Sequence, residues 1–240
     1  MNVKKAIRSL ARKAGLEISR YRPTETTDGR LVATLRAHRV DVVLDVGANI
    51  GQFGESLRDS GYRGRIVSFE PLSDAWSALR QTSAHDSLWD VAERCALGEA
   101  EGEVQLHIAG NSVSSSVLEM LSTHTKAAPD SAYVGMENVK VRTLDSVASQ
   151  YLNPKSISFL KIDTQGYEDR VLRGATQLLD RIVGLQLEMS FVALYEGQLT
   201  FDDLRDRLTA RGFELWGLSP GFVDPNTGRL LQVDATFFRA

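Results

Sequence analysis

A single cysteine, Cys95, stands in the whole chain. No internal disulfide can form and no zinc site can be built from several thiolates, so a disulfide-stapled scaffold and a cysteine-rich zinc module are both excluded. Beside Ala96 and Leu97 the thiol reads as a buried structural group rather than a nucleophile, and a reducing compartment suits it. Long apolar runs are missing as well. Nothing approaches the ~20 apolar residues of a membrane-spanning helix. The N-terminus has no continuous apolar segment of the secretory kind, so the expected address is the cytoplasm. Positive charge is not in excess: 28 Lys and Arg against 31 Asp and Glu leave a net charge of −3. That balance argues against broad, non-specific binding to nucleic acid.

What is present is an ordinary globular mixture. With 42% hydrophobic and 25% charged residues over 240 positions, neither a disordered nor a fibrous class is indicated, and the length suits one α/β domain with extensions. Residues 1–40 read as a helical extension and residues 41–240 as the main domain. In the extension, Val3, Ile7, Leu10 and Ala14 recur at helical spacing, while Lys4, Lys5, Arg8, Arg12 and Lys13 crowd the other faces with no acid before Glu17. This is a basic amphipathic helix. It suits packing on its own domain, the second copy of a homodimer, or peripheral contact with the inner face of an anionic membrane. Residues 22–29 then read as a linker, and Leu31 to Arg39 as a short helix.

From Asp41 onward strands and helices alternate. Val42 to Val46 is a β-branched run ending at a glycine-rich turn, followed by a helix around Phe53 to Leu57; Arg65 to Phe69 is a second strand, Pro71 to Arg80 a helix opened by proline, and Trp89 to Leu97 a third strand. Ser156 to Ile162 and Ile182 to Leu187 are continuous apolar strands of the kind buried on both faces, separated by a helix over Tyr167 to Leu179. Right-handed crossovers then give a Rossmann-like, doubly wound, mostly parallel sheet. Val104 to Ile108 and Val139 to Arg142 are extra strands around a polar, mobile insertion at about 110–132, and Phe213 to Leu218 with Val233 to Phe238 form an antiparallel edge.

The segment Asp45-Val46-Gly47-Ala48-Asn49-Ile50-Gly51 falls where the first strand turns into the first helix. Gly47 and Gly51 let a ligand approach the backbone, and the helix start offers unpaired N–H groups. Asn49 occupies the middle glycine position of the dinucleotide fingerprint, so a pyrophosphate fits less well than a phosphate-free nucleoside. Glu70 ends the second strand about 20 residues later, where a carboxylate can accept both ribose hydroxyls. A tight turn and a solvated strand-end acid are the plain alternatives.

Taken together, Asp45 to Gly51, Phe69-Glu70-Pro71, Ala96-Leu97-Gly98, Val141 to Asp145, Leu160-Lys161-Ile162-Asp163 with Gly166 and Glu168, and Gln186-Leu187-Glu188 resemble, in order and spacing, the FkbM family of methyltransferases. The resemblance runs from about Asp41 to Leu218. It implies a class I methyltransferase fold, S-adenosylmethionine as donor, and O-methylation of a hydroxyl on a sugar, a glycolipid or a polyketide-type natural product. Carried over by position, Asp45, Gly47, Ala48, Asn49 and Gly51 would face the methionine and ribose, Glu70 the ribose hydroxyls, and Ala96 and Leu97 the adenine. Asp163 and Glu188 are the candidate catalytic acids, either of which can take the hydroxyl proton if it lies within hydrogen-bond reach; orienting a ligand or fixing a loop are their plain alternatives.

Thr164-Gln165 departs from the family pattern, where a hydrophobic residue and an acid are usual. One carboxylate is therefore missing beside Asp163, which weakens a divalent-metal site at Asp163 and Glu188. His107 and His124 flank the insertion and can titrate near neutrality, although lone histidines are more often structural. The run Asn111 to Ser116 suits hydrogen bonding to a polyol, or simply a flexible loop. Tyr167, Tyr195 and Trp216 can stack on a sugar ring, with Trp216 better suited to the core. A nicotinamide-dependent oxidoreductase and a non-catalytic S-adenosylmethionine-binding module are the rival classes.

Overall fold

Predominantly apolar chain segments become the interior strands of a parallel sheet, because both of their faces must be covered. The computed structural model describes residues 3–16 and 26–239. In chain order its strands are β1 (Val42–Val46), β2 (Arg65–Phe69), β3 (Trp89–Val91), β4 (Ala96–Leu97), β5 (Gly102–Ala109), β6 (Tyr133–Arg142), β7 (Ser158–Ile162), β8 (Gly184–Ser190), β9 (Phe213–Pro220) and β10 (Gln232–Arg239). Seven form the main sheet, in the order β3-β2-β1-β7-β8-β10-β9, with β10 antiparallel to both of its neighbours. The expected doubly wound sheet with an antiparallel edge is the observed one. Strand order reverses between β1 and β7, and the crevice beyond the strand ends at such a switch point is where open α/β sheets bind ligands.

The helices are α1 (Val3–Lys13), α2 (Thr27–Ala37), α3 (Gln52–Asp59), α4 (Ser73–Ser83), α5 (Ser122–Ala127), α6 (Leu144–Val147), α7 (Glu168–Arg173), α8 (Thr176–Leu179) and α9 (Phe201–Ala210). One face of the sheet, carrying Val43, Ile66 and Phe159, packs against Leu31 and Leu35 of α2, Leu57 of α3 and Leu79 of α4. The opposite face, carrying Leu44, Val67 and Leu160, packs against Val171 of α7, Leu178 of α8 and Leu204 of α9. The alternation along each strand therefore supplies both layers. The amphipathic N-terminal helix forms, and Leu10 on it is 73% exposed. The linker expected over 22–29 lies partly outside the described residues; its last positions open α2, where Thr26 caps Gly29 through its hydroxyl.

Several expectations are corrected. The third strand is two: β3 pairs with β2, whereas β4 pairs with β6 in a separate sheet of order β4-β6-β5. The chain changes sheets between them at Glu93-Arg94, where Arg94 turns outward to pair with Glu137. The helix over 167–179 breaks into α7 and α8 at Gly174-Ala175, because Asp145 caps a fresh start by accepting from the backbone of Gln177 and Leu178. Pro71 does not open α4, which begins at Ser73. The polar insertion contains α5, and Ala127 packs in a small core with Leu194, Tyr195 and Leu231. Trp216 is 54% exposed, resting on His38 and Phe238 at the sheet edge. Helix α9, with its Thr200–Asp203 capping box, had no counterpart in the sequence reading.

Gly174 sits where a Cβ would overlap the backbone oxygen of Gly98. Since backbone cannot swing aside as a side chain can, Gly174→Ala is expected to cost about 1–3 kcal/mol, lowering the melting temperature by roughly 5 °C in thermal denaturation.

Candidate functional site

A row of polar residues crosses the centre of an otherwise apolar sheet: Ser68, Asp45, Lys161 and Gln186 are register partners on β2, β1, β7 and β8. A buried lysine must be paired, because a lone ammonium out of water is prohibitively unfavourable. Lys161 is paired on three sides. Its Nζ lies 3.3 Å from Asp45 Oδ1 and 3.6 Å from Asp163 Oδ2, and it donates to the Gly47 carbonyl at 3.3 Å. Burial opposes the charge, but the Asp45 and Asp163 carboxylates outweigh it and hold the ammonium above its usual range. Burial also raises Asp45 from its ordinary value, against the pull of Lys161 and Ser68; with the ammonium adjacent, we take the pair as ionic. Trp89 donates to Ser68 Oγ at 3.0 Å, and Ser68 donates to Asp45 Oδ2 at 3.1 Å.

Above this row lies a cleft of about 330 Å3, within the range of small-molecule sites. Gly47, Ala48, Asn49, Glu70, Ala96, Leu97 and Asp163 line it, together with Phe53, Lys161, Gln165, Tyr167, Gln186 and Asp234. Gly47 has a φ of +76°, and a Cβ there would strike the Asp163 carbonyl, so only glycine fits. Asn49 takes the left-handed φ of +48°, which asparagine tolerates, and directs its N–H to Glu70 Oε2 at 2.8 Å. Glu70 Oε1 accepts from Leu72 N at 2.9 Å. Burial pushes the Glu70 carboxyl up to about 7, with the Leu72 and Asn49 N–H groups restraining the rise.

Three of the residues singled out from the sequence stand behind the cleft wall. Asp45 is wholly buried beneath Lys161. Gly51 starts α3 with φ of +105° against Leu79, Thr82 and Trp89. Glu188 lies behind Gln165, whose Nε2 donates to Glu188 Oε2 at 2.6 Å and to Asp163 Oδ1 at 2.8 Å. Burial first, then the nearby Asp163 and Glu168 carboxylates, push Glu188 well above its ordinary value. Glu168 is spent on the loop before α7, accepting from the N–H groups of Thr164 and Gly166. Asp163 keeps 32% of its side chain exposed.

The remaining candidates separate cleanly. Cys95 is buried at the cleft wall, and burial pushes its thiol up to about 11, so it stays protonated. His107 stacks on Tyr133 and faces Glu119. His124 is buried against Tyr195 and Phe222, and burial pushes it down to about 4. Neither histidine is among the cleft residues. Ser115 donates to the Ser112 carbonyl and Ser116 to the Gln165 carbonyl, both at 2.7 Å, so these hydroxyls build the loop. Tyr195 is wholly buried and cannot stack on a ligand; Tyr167 lines the cleft. Lys161, Gln186 and Asp234 were given no role from sequence. A lysine inside the apolar run Phe159-Leu160-Lys161-Ile162 was the available signal for the first of them.

Residues 45–215 match the family described as the Methyltransferase FkbM domain. The chain belongs to this family. Membership carries the activity class, transfer of a methyl group from S-adenosylmethionine. Methyltransferase 1 of Beauveria bassiana (strain ARSEF 2860) is 24% identical over 198 residues, covering 77% of this chain and 76% of its own length. Methyltransferase sdnD of Sordaria araneosa is 28% identical over 156 residues, covering 56% of this chain and 60% of its own. A candidate O-methyltransferase of Klebsiella pneumoniae shares the fold at a TM-score of 0.50 and 11% identity, over 100% of this chain and 91% of that one. Among the described residues no helix of the methyltransferase is long and apolar enough to cross a membrane.

Removing the central cation tests its structural weight. Lys161→Met leaves Asp45 buried without a counter-charge and is expected to cost about 3–5 kcal/mol. The double variant Asp45→Asn/Lys161→Met should recover most of that loss in chemical denaturation, since no charge is then stranded.

Proposed function

We propose that the protein transfers the methyl group of S-adenosylmethionine to a hydroxyl of a sugar, a glycolipid or a polyketide-type product, with Asp163 receiving the hydroxyl proton. The observation that carries this reading is the Asp163 carboxylate. It is partly exposed in the cleft, beside the Gly47 turn, and anchored from behind by Lys161 and Gln165. The donor half follows from the same cleft. Gly47 and Asn49 give backbone access to the donor, and Ala96 and Leu97 offer an apolar wall to an adenine. Each Glu70 oxygen accepts one backbone N–H and keeps a lone pair for a ribose hydroxyl. In the reaction the acceptor oxygen bonds to the methyl carbon as the carbon–sulfur bond breaks. The electron pair leaves on sulfur as S-adenosylhomocysteine, and the hydroxyl proton passes to Asp163. Alignment of oxygen, carbon and sulfur is the main task left to the protein.

Titration with S-adenosylhomocysteine by calorimetry, with NADH alongside, tests the donor site. Micromolar binding of the first and none of the second is expected, and the reverse result would remove the reading. Consumption of S-adenosylmethionine with a screened acceptor separates an enzyme from a silent binding module. Asp163→Asn should then lower kcat by about 10²–10⁴-fold, the usual contribution of a general base.

The Glu70 carboxyl sets a pH dependence. Ribose hydroxyls donate to the ionised form, so binding favours the carboxylate. Above its value of about 7 the group is already ionised and affinity is level; below it a proton must leave on binding, and affinity falls. Calorimetry at pH 8 and pH 6 should show roughly tenfold weaker S-adenosylhomocysteine binding at the lower pH. Glu70→Gln should bind about tenfold more weakly than the wild type at pH 8 and lose the dependence.

A further inference from the structure

Gln165 occupies an unusual position. Its backbone holds the left-handed φ of +53°, a conformation uncommon for a residue with a Cβ. The surroundings are complete. The backbone oxygen of Gln165 accepts from Ser116 Oγ of the insertion at 2.7 Å. Side-chain Nε2 directs its two hydrogens to two carboxylates, Asp163 Oδ1 at 2.8 Å and Glu188 Oε2 at 2.6 Å. Side-chain Oε1 accepts from the Tyr195 hydroxyl at 2.8 Å. The opposite amide orientation would set Oε1 against two carboxylate oxygens, so the network itself assigns the NH2 to the acids. Gln232 supports the arrangement from behind, donating to the same Glu188 oxygen at 2.8 Å.

Two acids on neighbouring strands this close repel one another when both are ionised, and a divalent cation with oxygen ligands is one common solution. Here the space between Asp163 and Glu188 holds the Gln165 carboxamide nitrogen. Among the described residues no group of three or more histidine, cysteine or acidic side chains is placed to hold a metal ion. We infer that Gln165 is a positioning residue that stands in for a cation, aligning the Asp163–Glu188 pair by two hydrogen bonds. The site does not fit a divalent ion, because the nitrogen fills the bridging position and directs its hydrogens at the oxygens an ion would use. The same side chain ties the acid pair to Tyr195 and, through its backbone, to the insertion. The loop over the cleft and the aim of Asp163 are therefore set together. This inference rests on Asp163 as the base, and its physical content is testable without an acceptor.

The experiment is a thermal melt and a calorimetric Mn2+ titration of the full chain, wild type and Gln165→Glu, after treatment with a chelator. For the wild type, no saturable Mn2+ binding and no change in melting temperature are expected. In Gln165→Glu the introduced carboxylate faces two others. The variant should melt several degrees lower in chelator, recover in millimolar Mn2+, and bind about one Mn2+ ion. Adding Glu188→Gln to that variant should abolish the gained binding, which a merely structural loss at position 165 would not produce. One Mn2+ bound by the wild type and lost in Asp163→Asn would overturn the inference, as would a folded Gln165→Glu that gains no metal binding. If that variant does not fold, the wild-type titration alone decides. S-adenosylhomocysteine titrated in the same chelated wild-type sample keeps the two readings apart. Loss of donor binding there would count against the proposed function, whereas Mn2+ binding counts against the role of Gln165.

Discussion

The ammonium of Lys161 is the interaction on which the centre of this molecule depends. It lies between the two strands where the sheet reverses its direction of growth, and it is shared by Asp45 on β1, the Gly47 carbonyl and Asp163 at the end of β7. A buried charge of this kind seldom adds net stability over an apolar pair, but it admits few alternative arrangements. Here it sets the ends of β1 and β7 against each other at the height where the cleft opens. Asp163 N donates to the Val46 carbonyl at 3.0 Å, so backbone and side chain agree on that register.

The side of the cleft around Gly47 and Glu70 is built almost wholly from backbone and from one neighbouring strand. Gly47 admits the close approach of β7, Asn49 turns its N–H onto Glu70, and Glu70 in turn fixes the start of the chain toward α4 through Leu72. Each of these groups is held by a contact within a short stretch of chain or to an adjacent strand. The side around Gln165 is assembled differently. Residues 114–116, 165, 188 and 195 come from four separate segments and are joined by side-chain groups that bond to one another or to a backbone carbonyl.

Much of the fold was legible in the sequence. β1 and β2 fell where β-branched runs end at turn signals, and the antiparallel edge was visible in two late apolar segments. The misreadings share a cause. Trp89 to Leu97 looked like one strand because each piece is apolar; nothing local says that the pieces belong to different sheets. Gly174 looked like an ordinary helix position, yet its neighbour in space is Gly98, distant along the chain. Trp216 was expected in the core, although an edge strand leaves one face in water.

By itself the sequence determined the class of protein and pointed to the turn and the strand-end acid that line the cleft, because these are encoded in short segments: a glycine turn after a strand, a carboxylate at the next strand end, and motifs in a fixed order. Tertiary structure alone decided which acids face the cleft and what lies between them. Asp45 proved to be the partner of a buried lysine, Glu188 stood behind an amide, and Gln165, seen in sequence only as a missing carboxylate, became the group that joins them. The reason is distance. Local conformation is governed by neighbours a few residues away, whereas the state and aim of a buried charge depend on whatever the fold brings within a few ångströms, and no periodicity in the chain records that.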